Sequence, residues 1–279
     1  MRTGLYILVL CCWIIPATLF AQNGTQELRL LRENRVLQQR IDSLHRALER
    51  YEALDDIWSA LSGLDDSGWG EGISSVEEEP LQELDRAIAS RLSSVFPEMG
   101  ITYQTEIGER VKSYCRGKNA VILSHALTRL RKHMPYFKKV FAEYGVPEEL
   151  IPLCVVESAV SREAVSPVGA AGVWQLMPDT ALGYGLRVDY QVDERFDVEK
   201  PTVVAAKVLR DLKRSLGSWP LAVMAYNCGA GRIRKAVIQT GGTDPWEVLK
   251  HVPKETQAYL PSLLAVGYLC RYGAEYGIK

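Results

Sequence analysis

No apolar run in this 279-residue chain reaches the roughly 20 residues that a membrane-spanning helix needs. The nearest approach, Leu5 to Phe20, is interrupted by Pro16. An excess of one charge is also missing: the formal net charge is -1, so the total charge selects no class of partner. Histidine is scarce, and His45, His125, His133 and His251 lie too far apart to show ligand spacing. The six cysteines fit no metal-ligand pattern either, so no metal site is expected. No phosphate-cradling motif and no nucleic-acid signature appears, and neither a cofactor nor a nucleic-acid partner is expected. Strand alternation is absent except for a short hairpin that could form around Val188 to Val192, and the chain has no internal repeat.

What is present begins with an export signal. Arg2 provides the positive start, the apolar run follows, and Ala21 offers a small residue for cleavage. Residues 1–21 therefore read as a signal peptide, which places the mature protein in the periplasm or cell envelope. Cys11 and Cys12 follow Leu10 and Cys11, where a lipoprotein signal wants a small residue. Cleavage near Ala21 is preferred to an uncleaved anchor or to lipidation, and membrane association is permitted but not required. Cys115, Cys154, Cys228 and Cys270 remain after cleavage, and a domain of this size does not need disulfide staples. Free thiols are the preferred reading.

Residues 25–55 carry a short heptad pattern, with Leu30, Leu37, Leu44 and Tyr51 in one position and Asn34, Ile41 and Leu48 in the other. This would pair two chains as a parallel coiled coil, or lie as a single amphipathic helix on another surface. Residues 56–80 lose periodicity and collect Gly, Ser and acid, as a linker does. From residue 81 to 279 apolar residues recur at helical spacing in 103–117, 120–133, 136–145, 148–160, 173–184, 198–216, 219–228, 231–240 and 255–276. Pro147, Pro201, Pro220 and Pro245 fall where first helical turns accept proline. The expected fold is all-α. From Pro97 onward 24 basic residues face 19 acidic ones, a mild surplus that suits an anionic polymer.

The chemistry concentrates in four segments. In "IPLCVVESAV", Glu157 ends an apolar helical run, and burial among apolar groups raises a carboxyl pKa toward the range of a general acid. A surface Glu, or one paired with Arg162, is the plain alternative. The following "SPVGAAGVWQLMP" carries Ser166, Gly169, Gly172 and Gln175, too many small residues for plain helix or core. In "AVMAYNCGAGRI" an apolar helix ends at Tyr226 and Asn227 before two glycines. In "PKETQAYLPSLLA", Glu255, Thr256 and Tyr259 occupy neighbouring turns. Each segment alone has a bland structural explanation, and their joint occurrence is the informative fact.

In this order and spacing the segments resemble the lytic transglycosylases of glycoside hydrolase family 23, especially the membrane-bound type D branch, over roughly Ile101 to Tyr276. The resemblance implies a lysozyme-like helical domain that cleaves the β-1,4 bond between N-acetylmuramic acid and N-acetylglucosamine of peptidoglycan. It implies that Glu157 is the acid and base and that Ser166 helps to orient its carboxyl. Gln175 and Met177 would line the sugar subsites, with Tyr226, Asn227 and Tyr259 beside Glu157. Two departures stand out: Cys228 occupies a position where many members carry Ala, and no wall-binding repeats follow. The motifs supply a single carboxylate, whereas ordinary glycosidases use two. A single carboxyl suffices where no external water must be activated, and the resemblance implies chemistry of that kind, an intramolecular closure to a 1,6-anhydro product without hydrolysis. A muramidase resembling goose-type lysozyme, or a wall-binding scaffold, are the alternatives.

Overall fold

A helix that is apolar around its whole circumference has to be enclosed by others, and the stretch Lys254–Tyr272 is one: twelve of its residues, from Thr256 to Leu269, are buried. The structure is a computed structural model that describes residues 78–279, with side chains from Glu83 onward. The helices are α1 (Glu78–Val95), α2 (Thr105–Tyr114), α3 (Gly117–Tyr144), α4 (Leu153–Ser158), α5 (Pro178–Gly183), α6 (Glu199–Leu216), α7 (Trp219–Cys228), α8 (Ala230–Thr240), α9 (Pro245–Leu249) and α10 (Lys254–Tyr272). Three short 3₁₀ turns, Glu148–Leu150, Glu194–Phe196 and Gly273–Tyr276, complete them. Helix α10 is the spine, packed against α1, α2, α4 and α7. Its approach to the end of α1 is close because Gly267 has no side chain; a Cβ there would run into the Phe96 ring.

Helix α3 is 28 residues long, about 42 Å at 1.5 Å per residue. It buries Leu123, Ala126, Leu127, Leu130, Phe137, Val140 and Phe141, a stripe at helical spacing. The sequence pattern splits this region into two helices around Pro135, and the structure corrects that. One helix runs through the proline, because burying Phe137 and Phe141 on the same stripe as Leu130 offsets the lost hydrogen bond. Helix α7 is apolar and buried from Trp219 to Ala225, with the half-buried Tyr226 and Asn227 near its end, and is started by the Ser218 hydroxyl, which accepts from Leu221 N–H at 3.4 Å.

Two other expected helices are shorter than the periodicity suggests. The 148–160 segment is a 3₁₀ turn followed by α4, which stops where Ala159 and Val160 turn left-handed at φ 50° and 61°. The 173–184 segment is helical only in α5. The residues before it form a loop with isolated bridges Val165 to Ala171 and Ala171 to Leu176. The hairpin near Val188 does form, as a bridge from Val188 to Asp193 with Asp189 N–H donating to Val192 O at 2.8 Å. The signal segment, the heptads and the linker up to residue 77 lie outside the described residues, while α1 begins at Glu78, inside the stretch read as linker. No described helix is long and apolar enough to cross a membrane.

Candidate functional site

Glu157 is the penultimate residue of α4, and every other residue of that helix is buried. Its carboxyl is part-buried, and the buried Tyr259 of α10 donates its phenolic hydrogen to Oε1 in a short hydrogen bond. Burial pushes Glu157 up to about 8; the Tyr259 hydrogen bond opposes the shift and the negative charge of Glu255 adds to it. No cation takes part, and Arg162 is exposed rather than paired with it. The carboxyl is thus protonated at neutral pH, and since Tyr259 faces Oε1, Oε2 is the oxygen left to carry the proton. Burial and the charge of Glu157 also hold Tyr226 and Tyr259 well above the usual phenol range, so both hydroxyls act as neutral donors.

The loop 164–177 lies between α4 and α5. Its anchor is Trp174, which is fully buried. The indole packs against Phe137 and Phe141 of α3 at ring-centroid distances of 5.3 and 5.4 Å, and its Nε1–H donates to Thr202 Oγ1 of α6 at 2.8 Å. Tyr226 at the end of α7 donates its hydroxyl to Trp174 O at 2.7 Å. Ser158 is buried next to Glu157, and its hydroxyl reaches Val173 O at 2.9 Å. The segment after α4 is therefore tied at both flanks of Trp174.

Several expected site side chains are committed to this loop. Ser166 Oγ accepts from Ala170 N–H at 3.0 Å, and no hydrogen bond joins it to Glu157, although its own proton stays free to donate. Gln175 sits at φ 44°, and its Nε2–H₂ donates to Gly172 O at 2.9 Å and Ala164 O at 3.2 Å, leaving Oε1 as its open acceptor. Met177 caps α5 and is 40% exposed. Asn227 accepts from Thr256 Oγ1 at 2.7 Å through Oδ1, which leaves its Nδ2–H₂ without a protein partner.

Sequence reasoning missed four groups here. Arg195 is buried and forms a forked ion pair with Asp193, while its Nη1 donates to Gly169 O at 2.6 Å and Leu176 O at 3.0 Å. Gly172 presses against the Arg195 carbonyl so closely that any Cβ would collide with it. Nothing in the local sequence pattern marks Arg195. Ser158 and Trp174 stood inside quoted motifs without a role, and Arg129 on α3 donates twice to Ala159 O. Beside Tyr259, between α2 and α10, a cavity of about 550 Å³ is lined by Glu106, Glu109, Glu255, Lys254, Val156 and Tyr259 among others. The four thiols are free. Among the described residues, no group of three His, Cys, Asp or Glu side chains is placed to hold a metal ion.

Comparison with known proteins bears on this arrangement. Residues 135–249 match the family described as "Transglycosylase SLT domain". The SLT match runs from the second half of α3 to α9 and so contains Glu157, the loop and Tyr226, and it stops before Tyr259. The chain is 33% identical over 187 residues to "Membrane-bound lytic murein transglycosylase D" of Escherichia coli, covering 65% of this chain and 40% of that one. It is 30% identical over 143 residues to "Membrane-bound lytic murein transglycosylase F 1" of Alkalilimnicola ehrlichii, covering 48% of this chain and 28% of that one. Among solved structures, the 70 kDa soluble lytic transglycosylase Slt70 of Escherichia coli aligns at a TM-score of 0.46 with 19% identity, over 83% of this chain and 44% of that one. The chain thus spans well under half the length of these relatives.

Proposed function

We propose that this chain is a lytic transglycosylase that cleaves peptidoglycan strands at the β-1,4 bond between N-acetylmuramic acid and N-acetylglucosamine, leaving 1,6-anhydromuramic acid ends. The observation that carries this reading is the Glu157 carboxyl, pushed up to about 8, held by Tyr259 and lacking a cationic partner. Such a group is a proton donor at neutral pH. The printed names of the relatives, lytic murein transglycosylases, agree with it.

In this reaction Oε2 of Glu157 gives its proton to the glycosidic oxygen as the bond to the muramyl C1 breaks, and the substrate's own acetamido group stabilises the positive centre. The resulting carboxylate is held by the Tyr259 hydroxyl, then takes the proton of the C6 hydroxyl of the same muramyl residue as that oxygen closes on C1. The proton count balances, no water enters, and one carboxyl suffices. Ser166 and Asn227 Nδ2 are the free donors, and Gln175 Oε1 the free acceptor, through which the strand would be oriented. Met177 supplies apolar surface for a sugar face.

Export with cleavage near Ala21 places the enzyme in the envelope, in keeping with the "membrane-bound" names of the relatives. The N-terminal heptads would pair two chains. Edman sequencing of the mature protein and sedimentation of the full chain test these two points.

The decisive test is mass spectrometry of soluble products after incubation with purified sacculi. Anhydro ends are expected. Products one water heavier would identify a hydrolase instead, and no products from a folded protein would leave a binding role.

A further inference from the structure

We infer that Arg129 is a positioning residue for Glu157, acting through the backbone elbow that ends α4. The inference rests on the reading of Glu157 as the acid of the proposed reaction.

The elbow is unusual for its residue types. Ala159 and Val160 follow the Glu157–Ser158 pair directly, and both are left-handed, at φ 50° and 61°. A β-branched residue in that region is a genuine outlier. Such conformations cost on the order of 1–3 kcal/mol each and persist only where the surroundings over-determine them. Here both residues are buried. The Ala159 N–H donates to Val155 O at 2.8 Å and the Val160 N–H to Cys154 O at 3.1 Å, closing the helix end. The Arg129 guanidinium supplies the third restraint: Nε–H and Nη2–H both donate to Ala159 O, at 3.0 and 2.7 Å. Two donors on one carbonyl, thirty residues away in sequence, fix the direction of that peptide plane against α3.

The consequence for Glu157 is geometric. Glu157 lies two residues before the restrained carbonyl, on a helix of only six residues. Without the fork, the elbow is free to relax toward right-handed backbone, which continues the helix and shifts the Glu157 carboxyl relative to the bond it would protonate. A displacement of about 1 Å at a reacting group is enough to cost about a hundredfold in rate. The guanidinium does this without spending its charge on the carboxyl. The influences on Glu157 are burial, Tyr259 and Glu255, with no arginine among them. A carbonyl at a helix C-terminus, already electronegative, takes the charge instead. Arginine is thereby used where a cation beside the acid would have lowered its pKa and removed its proton.

The test compares Arg129→Lys and Arg129→Met with wild type and Glu157→Gln in the full chain, on purified glycan strands, with rates normalised to the folded fraction from thermal melts. Positioning predicts a kcat lower by roughly 10-fold in Arg129→Lys, which keeps one donor, and by roughly 100-fold in Arg129→Met, with KM changed less than about twofold. The alkaline limb of the pH profile stays where wild type has it. An upward shift of that limb in Arg129→Met would show that the charge acts on Glu157, and would overturn the inference. So would wild-type kcat per folded molecule, which would make Arg129 only a stabilising residue. If Arg129→Met fails to fold, Arg129→Lys decides alone by the same kcat and KM criteria. Should Glu157→Gln keep its activity, the reading of the acid fails; an inactive Glu157→Gln beside a kinetically normal Arg129→Lys sinks the positioning role alone.

Discussion

Glu157 and Tyr259 project from helices α4 and α10, whereas Ser166, Gln175 and Met177 lie on or at the end of a loop with only isolated bridges. The helical half is placed by apolar burial. Its surroundings desolvate a carboxyl and leave one phenol to hold it. The loop half is anchored by the buried Trp174 and braced by hydrogen bonds: Gln175 Nε2 holds two carbonyls of the loop, Tyr226 of α7 holds Trp174 O, and Arg195 of the 194–196 turn holds Gly169 O and Leu176 O. The two halves therefore do different work. The dry half raises the pKa of a carboxyl, and the braced half leaves a few polar atoms free.

Several substitutions would break or sharpen this contrast. The largest effect is expected from Glu157→Gln, which should lower product release by at least about a thousandfold in a sacculus digestion while the circular dichroism stays unchanged. The same change should stabilise the protein. The folded value of about 8 lies above the ordinary 4.5, so the folded protein keeps a proton that the unfolded chain releases. Wild type should lose roughly 2–4 kcal/mol relative to Glu157→Gln as pH rises from about 4.5 to 8, and nothing further above that. Denaturant melts at pH 5, 6.5 and 8.5 check it; a gap that shrinks with pH would contradict the assignment.

Trp174→Ala attacks the loop half at its anchor and should cost about 3–5 kcal/mol, through the lost indole packing and the lost hydrogen bond to Thr202 Oγ1, which keeps its own bond to Val198 O. Urea unfolding measures it, and a loss below about 1 kcal/mol would show that the loop is held from elsewhere. Tyr259→Phe removes the one hydrogen bond to the acid, an interaction worth about 1.5–3 kcal/mol when it engages a charged group. Activity should fall about 10- to 100-fold. Because that hydrogen bond lowers the Glu157 value, the alkaline limb should move above 8, and a limb that moves down would refute this account. The smallest effect belongs to Gln175→Ala, with KM for strands rising about 3- to 10-fold and kcat nearly constant, as uniform binding loss requires. A kcat loss larger than the KM change would mean that the loop also positions the acid.

Much of the site was legible in the sequence because its motifs are local. Glu157 at the end of an apolar helix, the glycine-rich loop and the aromatic-amide pair each sit within a dozen residues. Side-chain commitments were less legible. Ser166 reads as a partner of the acid, and in the structure its oxygen closes its own loop through Ala170 N–H. Helix limits were misjudged where local rules compete with burial. Pro135 signals a break that the buried stripe of α3 overrides, and the apolar run after Ser158 signals helix where Val160 turns left-handed.

The sequence alone determined the all-helical class, the order of the motif-bearing segments and the candidate for the acid, since periodicity and short motifs carry that information along the chain. Only the tertiary structure decided the state of that acid. Its raised pKa depends on α10 closing over α4, and its direction on an arginine from α3 and a tyrosine 102 residues further along. Arg129 and Arg195 could not be read beforehand, because a guanidinium that grips backbone carbonyls has partners set by packing and not by residue type.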